Sequence, residues 1–163
     1  FSMNAYRKGG YKGTRISVHA SNPNTQERPM AVEKTFCMLK PDAVRDRKMG
    51  RIIDRIGASG LGIERMEMCE LTRSLAEEHY AHLAAEPFFG RIVDFMTGGP
   101  VVKMVLSGPN AVAKLRALMG ATDPLKAAPG TIRADFALET SSNVIHGSDS
   151  VENAEIEIKR FFG

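Results

Sequence analysis

Of the four histidines in the chain, His146 is the one placed where an imidazole could do chemistry. It stands in N-V-I-H-G-S-D-S, residues 143–150, after a strand-like triplet and ahead of a helix start that Asp149 or Ser150 would cap. An imidazole titrates near neutrality and can serve as a base or as a nucleophile. The N-terminus of the following helix favours negative charge, and its free N–H groups are ready donors to phosphate oxygens. Gly147 would let the backbone come close to such a group. A loop or capping residue fits the same position. Glu157, within the helix that follows, could reach back and fix the tautomer of the ring, although a helical Glu ordinarily faces solvent. His79 and His82 lie three apart on a helix with no neighbouring residue to complete a metal site, and they read as surface or packing residues. His19 falls in the N-terminal segment.

If His146 receives a phosphoryl group, fixed positive charge should stand nearby. Arg116 lies on the helix before a segment rich in Gly and Pro, Arg133 lies within that segment, and Thr122 offers a hydroxyl. Guanidinium forks match phosphate geometry and stabilise charge on a transferring phosphoryl. Lys40 closes the first strand, where side chains emerge at the sheet end. Each residue alone reads as a solvated charge; their gathering around residues 120–149 is what points to an anionic ligand. The common glycine loops, G-x-x-x-x-G-K-[ST] and G-x-G-x-x-G, are both missing, as is any Cys/His metal pattern.

The elements that must position these residues can be read from periodicity. Residues 32–40 and 62–71 alternate and are rich in strand formers, and 101–106 form a third strand. Pro41 and Asp42 open a helix or turn. Met49, Ile52, Ile53 and Ile56 recur at helical spacing, and Gly60 stops the run. Ser74 to Leu83 is a helix in which Ser74 and Glu77 match a capping box. Pro87 opens a further helix through Ile92, Val93 and Phe95. Asn110 caps another, through Val112, Leu115 and Met119 to Gly120. A fourth strand is expected near Ala134 to Thr140. Ser150 to Phe162 is amphipathic, with Val151, Ala154, Ile158 and Phe161 on one face. Two strand–helix–strand halves on one sheet predict an α+β sandwich of the ferredoxin-like kind, four antiparallel strands covered by helices, with a long functional loop.

Composition narrows the function classes. With 43% hydrophobic and 25% charged residues in 163, the chain is globular, and no apolar run approaches a membrane span. Two cysteines, Cys37 and Cys69, exclude a disulfide scaffold and a four-cysteine zinc site, and point to a reducing, cytoplasmic setting. The net charge of +3 is unevenly spread. Residues 1–30 carry five basic side chains against Glu27, a net of +4, which leaves −1 for the remaining 133. The basic pI therefore belongs to this segment, poor in acids and without apolar period, which reads as a flexible arm ahead of a domain over residues 31–163. An organellar targeting remnant is the alternative, and nucleic-acid binding through the arm is possible but not expected as the main role.

The residues reached so far resemble the nucleoside diphosphate kinase family. N-V-I-H-G-S-D-S-V-E at 143–152 is similar to that family's active-site signature. T-F-C-M-L-K-P-D at 35–42, H-Y-A-H-L-A-A-E-P-F-F at 79–89, G-G-P-V-V at 98–102, G-A-T-D-P at 120–124 and P-G-T-I-R-A-D-F at 129–136 follow in family order. The resemblance spans roughly residues 31–163. It implies ping-pong transfer of a γ-phosphoryl from a nucleoside triphosphate to a diphosphate through a phosphohistidine on His146. It further implies that Lys40 and Asn143 hold the ribose hydroxyls, Phe88 stacks on the base, and Arg116, Thr122 and Arg133 grip the phosphates. Tyr80, Ser148 and Glu157 would position His146 and the phosphoryl. Mg²⁺ would be bound mainly through the nucleotide's own oxygens, with no protein metal site. Hexamers or tetramers built from a shared dimer are implied, without a choice between them. Two other classes compete with this enzyme: a regulatory or DNA-interaction module working through the basic arm, and a phosphodonor to another protein.

Overall fold

The computed structural model describes residues 31–163; the expectations for residues 1–30 lie outside the described residues. Four strands, β1 (Val32–Leu39), β2 (Gly62–Cys69), β3 (Val101–Pro109) and β4 (Ile145–Gly147), form one antiparallel sheet in the order β2-β3-β1-β4. Among the described residues seven α-helices accompany them: α1 (Pro41–Arg45), α2 (Met49–Ala58), α3 (Arg73–His79), α4 (Phe89–Thr97), α5 (Ala111–Met119), α6 (Ile132–Phe136) and α7 (Val151–Phe162). This is the expected ferredoxin-like sandwich.

Alternation in β1 sends successive side chains to opposite faces, and both faces are covered. Cys37 and Leu39 join Ile52 and Ile56 of α2, Leu115 and Met119 of α5, and Phe136 of α6 in one core. Phe36 and Met38 point the other way, to Ala76 of α3, Val93 and Met96 of α4, and Phe161 of α7. Burying each such large side chain contributes about 1.5–3 kcal/mol. β1 is thereby fixed between two cores, and whatever pairs with it inherits that rigidity.

Four expectations are corrected. No strand runs from Ala134 to Thr140: α6 occupies 132–136, with the Thr131 hydroxyl accepting from the Ala134 N–H. Its buried positions, Ile132, Arg133 and Phe136, have helical spacing. The fourth strand is instead the triplet Ile145–Gly147, too short to show alternation and containing His146 itself. The capping box at Ser74 and Glu77 gives way to Thr72, whose Oγ1 accepts from the Leu75 N–H at 3.2 Å. Asn110 does precede α5, but in a left-handed conformation with no side-chain cap bond. The buried face of α7 is Ala154, Glu157 and Phe161, with Val151 exposed.

Candidate active site

His146 is fixed by its strand. In the β1–β4 ladder it pairs with Met38, so its side chain stands on the Phe36–Met38 face, at the sheet edge that α7 packs against. Residues in direct register share a face, and the Phe36 ring lies 6.0 Å from the imidazole. The approach to β4 is constrained from behind. Val144 has φ of +63°, an unfavourable conformation for a β-branched residue that costs on the order of 1–3 kcal/mol. Two bonds hold it there: its N–H donates to Asp42 Oδ2 at 3.1 Å, and its carbonyl accepts from the Lys40 N–H at 2.9 Å. Gly147 serves packing. A Cβ there would meet Met119 Sδ at 2.6 Å and Leu115 Cδ2 at 2.9 Å, so the close approach it allows is to α5.

The imidazole is held from one side. His146 Nε2 lies 2.9 Å from Glu157 Oε1, and the Ser148 hydroxyl donates to Glu157 Oε2 in a short bond. Ser148 is itself anchored by its N–H to the Phe36 carbonyl at 3.1 Å. Ser150 is the cap of α7, its Oγ accepting from the Asn153 N–H at 3.0 Å, and this sets the helix that carries Glu157. Burial pulls the Glu157 carboxyl upward, but the bonds and charge from His146, with Ser148, outweigh it and leave the group below the usual carboxylate range. With an anionic Glu157 accepting at Nε2, the proton of a neutral imidazole sits on Nε2 and the lone pair on Nδ1.

A cationic wall belongs to the same edge. Lys40 Nζ donates to Asn143 Oδ1 at 2.7 Å, while Asn143 Nδ2 donates to the Thr140 carbonyl at 2.9 Å and reaches the Thr122 carbonyl at 3.4 Å. Burial, with Arg133 nearby, pushes Lys40 down to about 8. Arg133 is buried and donates to the carbonyls of Gly120 at 3.0 Å and Ile145 at 2.8 Å, tying the end of α5 to the residue before His146. Burial and then the charge of Arg116 bring it down to about 10. Arg116 and Thr122 are exposed. Phe88, at the head of α4, is also exposed and lies outside the bonded network. Tyr80 is buried and meets His146 only through His79, whose ring it contacts edge-on at 4.6 Å.

Two residues enter the site that sequence reasoning left out. His79 is a buried packing residue, one of the two alternatives expected for it, edge-on to His146 at 4.7 Å between ring centres and 3.8 Å from Glu157 Oε1. The expectation that nothing joins it as a ligand set fails, because β4 and α7 bring His146 and Glu157 to it from 67 and 78 positions away. Burial first, and then the charge of His146, bring it down to about 3. Asp42, which holds Val144, was visible only as an acid in the first turn of a helix.

The anchored imidazole thus stands on a ferredoxin-like sheet, with Lys40, Asn143 and Arg133 bonded around the residues that lead into its strand. The sequence model described as nucleoside diphosphate kinase matches residues 33–163. A relative of that name from Wolinella succinogenes is 56% identical over 131 residues, covering 80% of this chain and 96% of its own. Another from Parafrankia is 52% identical over 133 residues, covering 82% and 97%. Among solved structures, the nucleoside diphosphate kinase of Halobacterium salinarum in complex with CDP is similar at TM-score 0.78 and 43% identity, covering 81% of this chain and 88% of that one. The apo enzyme from Encephalitozoon cuniculi gives the same TM-score at 46% identity, covering 80% and 89%. The chain belongs to the nucleoside diphosphate kinase family.

Proposed function

We propose that the chain transfers the γ-phosphoryl of a nucleoside triphosphate to a nucleoside diphosphate by a ping-pong route through His146, maintaining triphosphate pools. The observation that carries this reading is the Glu157 contact at His146 Nε2, which leaves Nδ1 as the free nitrogen. In the first half, the Nδ1 lone pair forms a bond to the γ-phosphorus as the bond to the β,γ-bridging oxygen breaks. The diphosphate leaves with that electron pair, and the positive charge gained by the ring is stabilised by Glu157 through Nε2–H. In the second half, a terminal oxygen of another diphosphate attacks the same phosphorus and the P–N bond breaks. One phosphoanhydride replaces another, so the exchange is nearly thermoneutral. Catalysis is then placement plus charge stabilisation.

Lys40 and Asn143, already bonded to each other, are the pair for the ribose hydroxyls. Phe88 offers an exposed ring for the base, and stacking on any π-face accounts for loose base preference. Arg116, Thr122 and Arg133 take the phosphates. Ser148 and Glu157 hold the His146 ring, and Tyr80 supports it through His79. Mg²⁺ fits this site as part of the nucleotide. Mg²⁺ seeks a near-octahedral set of oxygens, and the possible ligand group at His146 supplies one carboxylate, Glu157, beside two imidazoles. Mg²⁺ would arrive on the phosphate oxygens and neutralise their charge, and Asp149, exposed and within electrostatic reach of Arg116 and His146, is available to its water shell.

The working form is a homo-oligomer built from dimers. Its support is β2, an edge strand of eight residues on which Ile63, Met66 and Met68 are 37%, 51% and 52% exposed. An apolar, unpaired edge is a template for pairing with a second copy. No described helix is long and apolar enough to cross a membrane, and the thiols Cys37 and Cys69 are free, in keeping with a cytoplasmic setting.

Intact mass after brief incubation with MgATP, followed by a GDP chase, tests the reading. One phosphoryl should add, survive alkali, be lost in acid and be discharged by GDP. A folded, nucleotide-binding chain that takes up no phosphoryl would overturn it in favour of a regulatory module.

A further inference from the structure

We propose that His79, His146 and Glu157 form a binding site for a transition-metal dication of the Zn²⁺ class, and that the occupied site silences His146. One ligand atom from each residue lies within 4.8 Å of the others. The tighter separations are 2.9 Å from His146 Nε2 to Glu157 Oε1 and 3.8 Å from His79 Nδ1 to the same oxygen. Ligands around a tetrahedral zinc stand roughly 3.4 Å apart, given metal–ligand lengths near 2.1 Å. The two closer contacts need shifts of about half an ångström, and the His79–His146 pair, within 4.8 Å, must close by up to about 1.4 Å to seat the ion.

A second observation points independently to a missing partner. His79 is only 6% exposed, yet among the described residues neither ring nitrogen has a hydrogen-bond partner. A buried imidazole with both nitrogens unbonded is unusual, because each unsatisfied group forfeits its hydration. The Tyr80 and Phe161 rings, at 4.6 and 5.0 Å, wall it in and leave its polar side toward Glu157. Two imidazoles and a carboxylate, brought by α3, β4 and α7, make a donor set suited to zinc. The hard Mg²⁺ that accompanies nucleotides prefers oxygen and would not compete strongly. The His146 side chain keeps 23% of its surface exposed, so a single half-buried ring separates the three ligand atoms from solvent.

Occupancy would change the tautomer. A cation that takes the Nε2 lone pair displaces the proton from that nitrogen, and the ring's proton then resides on Nδ1. Nδ1–H has no lone pair with which to attack phosphorus. Inhibition thus rests on the phosphohistidine reading above, whereas metal binding does not.

The test uses the full chain, freed of metal, with Co²⁺ as the spectroscopic probe and Zn²⁺ as its competitor. One equivalent of Co²⁺ should produce visible d–d bands of a low-coordinate N/O site, and Zn²⁺ should abolish them. His79→Gln should weaken the binding at least tenfold. His146→Gln, on the exposed side of the site, should do the same and serves if the core variant does not fold. Preincubation with Zn²⁺ should cut phosphohistidine formation at least tenfold in the unaltered chain, reversibly by chelation. His79→Gln, compared with its own metal-free rate, should lose that sensitivity. Failure to bind, or bands unchanged in both variants because His82 or His19 holds the ion, would overturn the site. Bands without inhibition would overturn the silencing. A chain that forms no phosphohistidine even without metal would instead sink the proposed function, with the Co²⁺ titration still deciding the site.

Discussion

The two edges of the sheet are built on opposite principles. β4 is three residues long, its neighbours are packed against α5 and α7, and its backbone is pinned by Asp42, Lys40 and Arg133. β2 is eight residues long, and seven of those residues are exposed. The short edge sacrifices length and tolerates a strained Val144 to hold one imidazole in one orientation. The long edge leaves apolar side chains and backbone groups unpartnered. Chemistry needs a group whose position is over-determined, and association needs a surface whose partner is not yet there. Between the two edges, β1 and β3 are locked by two cores.

Variants at the short edge should alter turnover without altering molecular size. His146→Ala should lower transfer on the order of 10⁴-fold or more, with circular dichroism unchanged; substantial residual exchange would remove the covalent route. Next in size, Glu157→Gln keeps an acceptor but loses the charge that stabilises the phosphorylated ring. Its kcat should fall about 100-fold with KM little moved. A KM effect of equal size would show that Glu157 acts on binding instead.

Packing behind the nucleophile offers a sharper contrast. Gly147→Ala places a methyl against Leu115 and Met119 and should lower stability by about 1–3 kcal/mol, read as a drop in Tm. An unchanged Tm would mean that α5 yields easily and that β4 is less constrained than its contacts indicate.

The pH profile tests the cationic wall. Lys40 titrates near 8 in the folded chain against 10.5 ordinarily, so it loses its charge as pH rises through 8. KM for the diphosphate should then rise about 5–10-fold, the loss of one charge-assisted hydrogen bond. Over the same window the unfolded chain binds more protons than the folded one, so stability should rise with pH while binding weakens. A KM flat to pH 10 would detach Lys40 from the nucleotide. The smallest effect on turnover is expected at the far edge. Met66→Lys combined with Met68→Lys should reduce the assembly size in sedimentation and leave per-chain phosphohistidine formation within about twofold, as surface substitutions usually do for a folded monomer. An unchanged assembly would move the interface elsewhere.

What could be read from the chain followed local physical signals. Apolar alternation marked β1, and helical spacing marked α2, α5 and α7. The histidine signature with its upstream P-G-T-I-R was specific enough to indicate the family. The misreadings share a cause. Residues 134–140 read as a strand, while the actual strand, Ile145–Gly147, is too short for alternation to register. Thr72, rather than Ser74, caps α3, a boundary error of two residues. His79 looked like an unremarkable helical residue because its neighbours in space, His146 and Glu157, are distant in sequence.

The sequence by itself determined the order of elements, the identity of the imidazole and the residue types able to meet a phosphate. Those follow from side-chain chemistry and short-range periodicity, which need no knowledge of distant contacts. Only the tertiary structure decided that Glu157 faces inward to His146 Nε2, that Arg133 bonds the carbonyl beside it, and that His79 lies against both with its nitrogens unbonded. Such relations depend on how α3, β4 and α7 pack around one end of a sheet. Burial there turns a helical glutamate and a buried histidine into neighbours of His146, and no local pattern encodes that meeting.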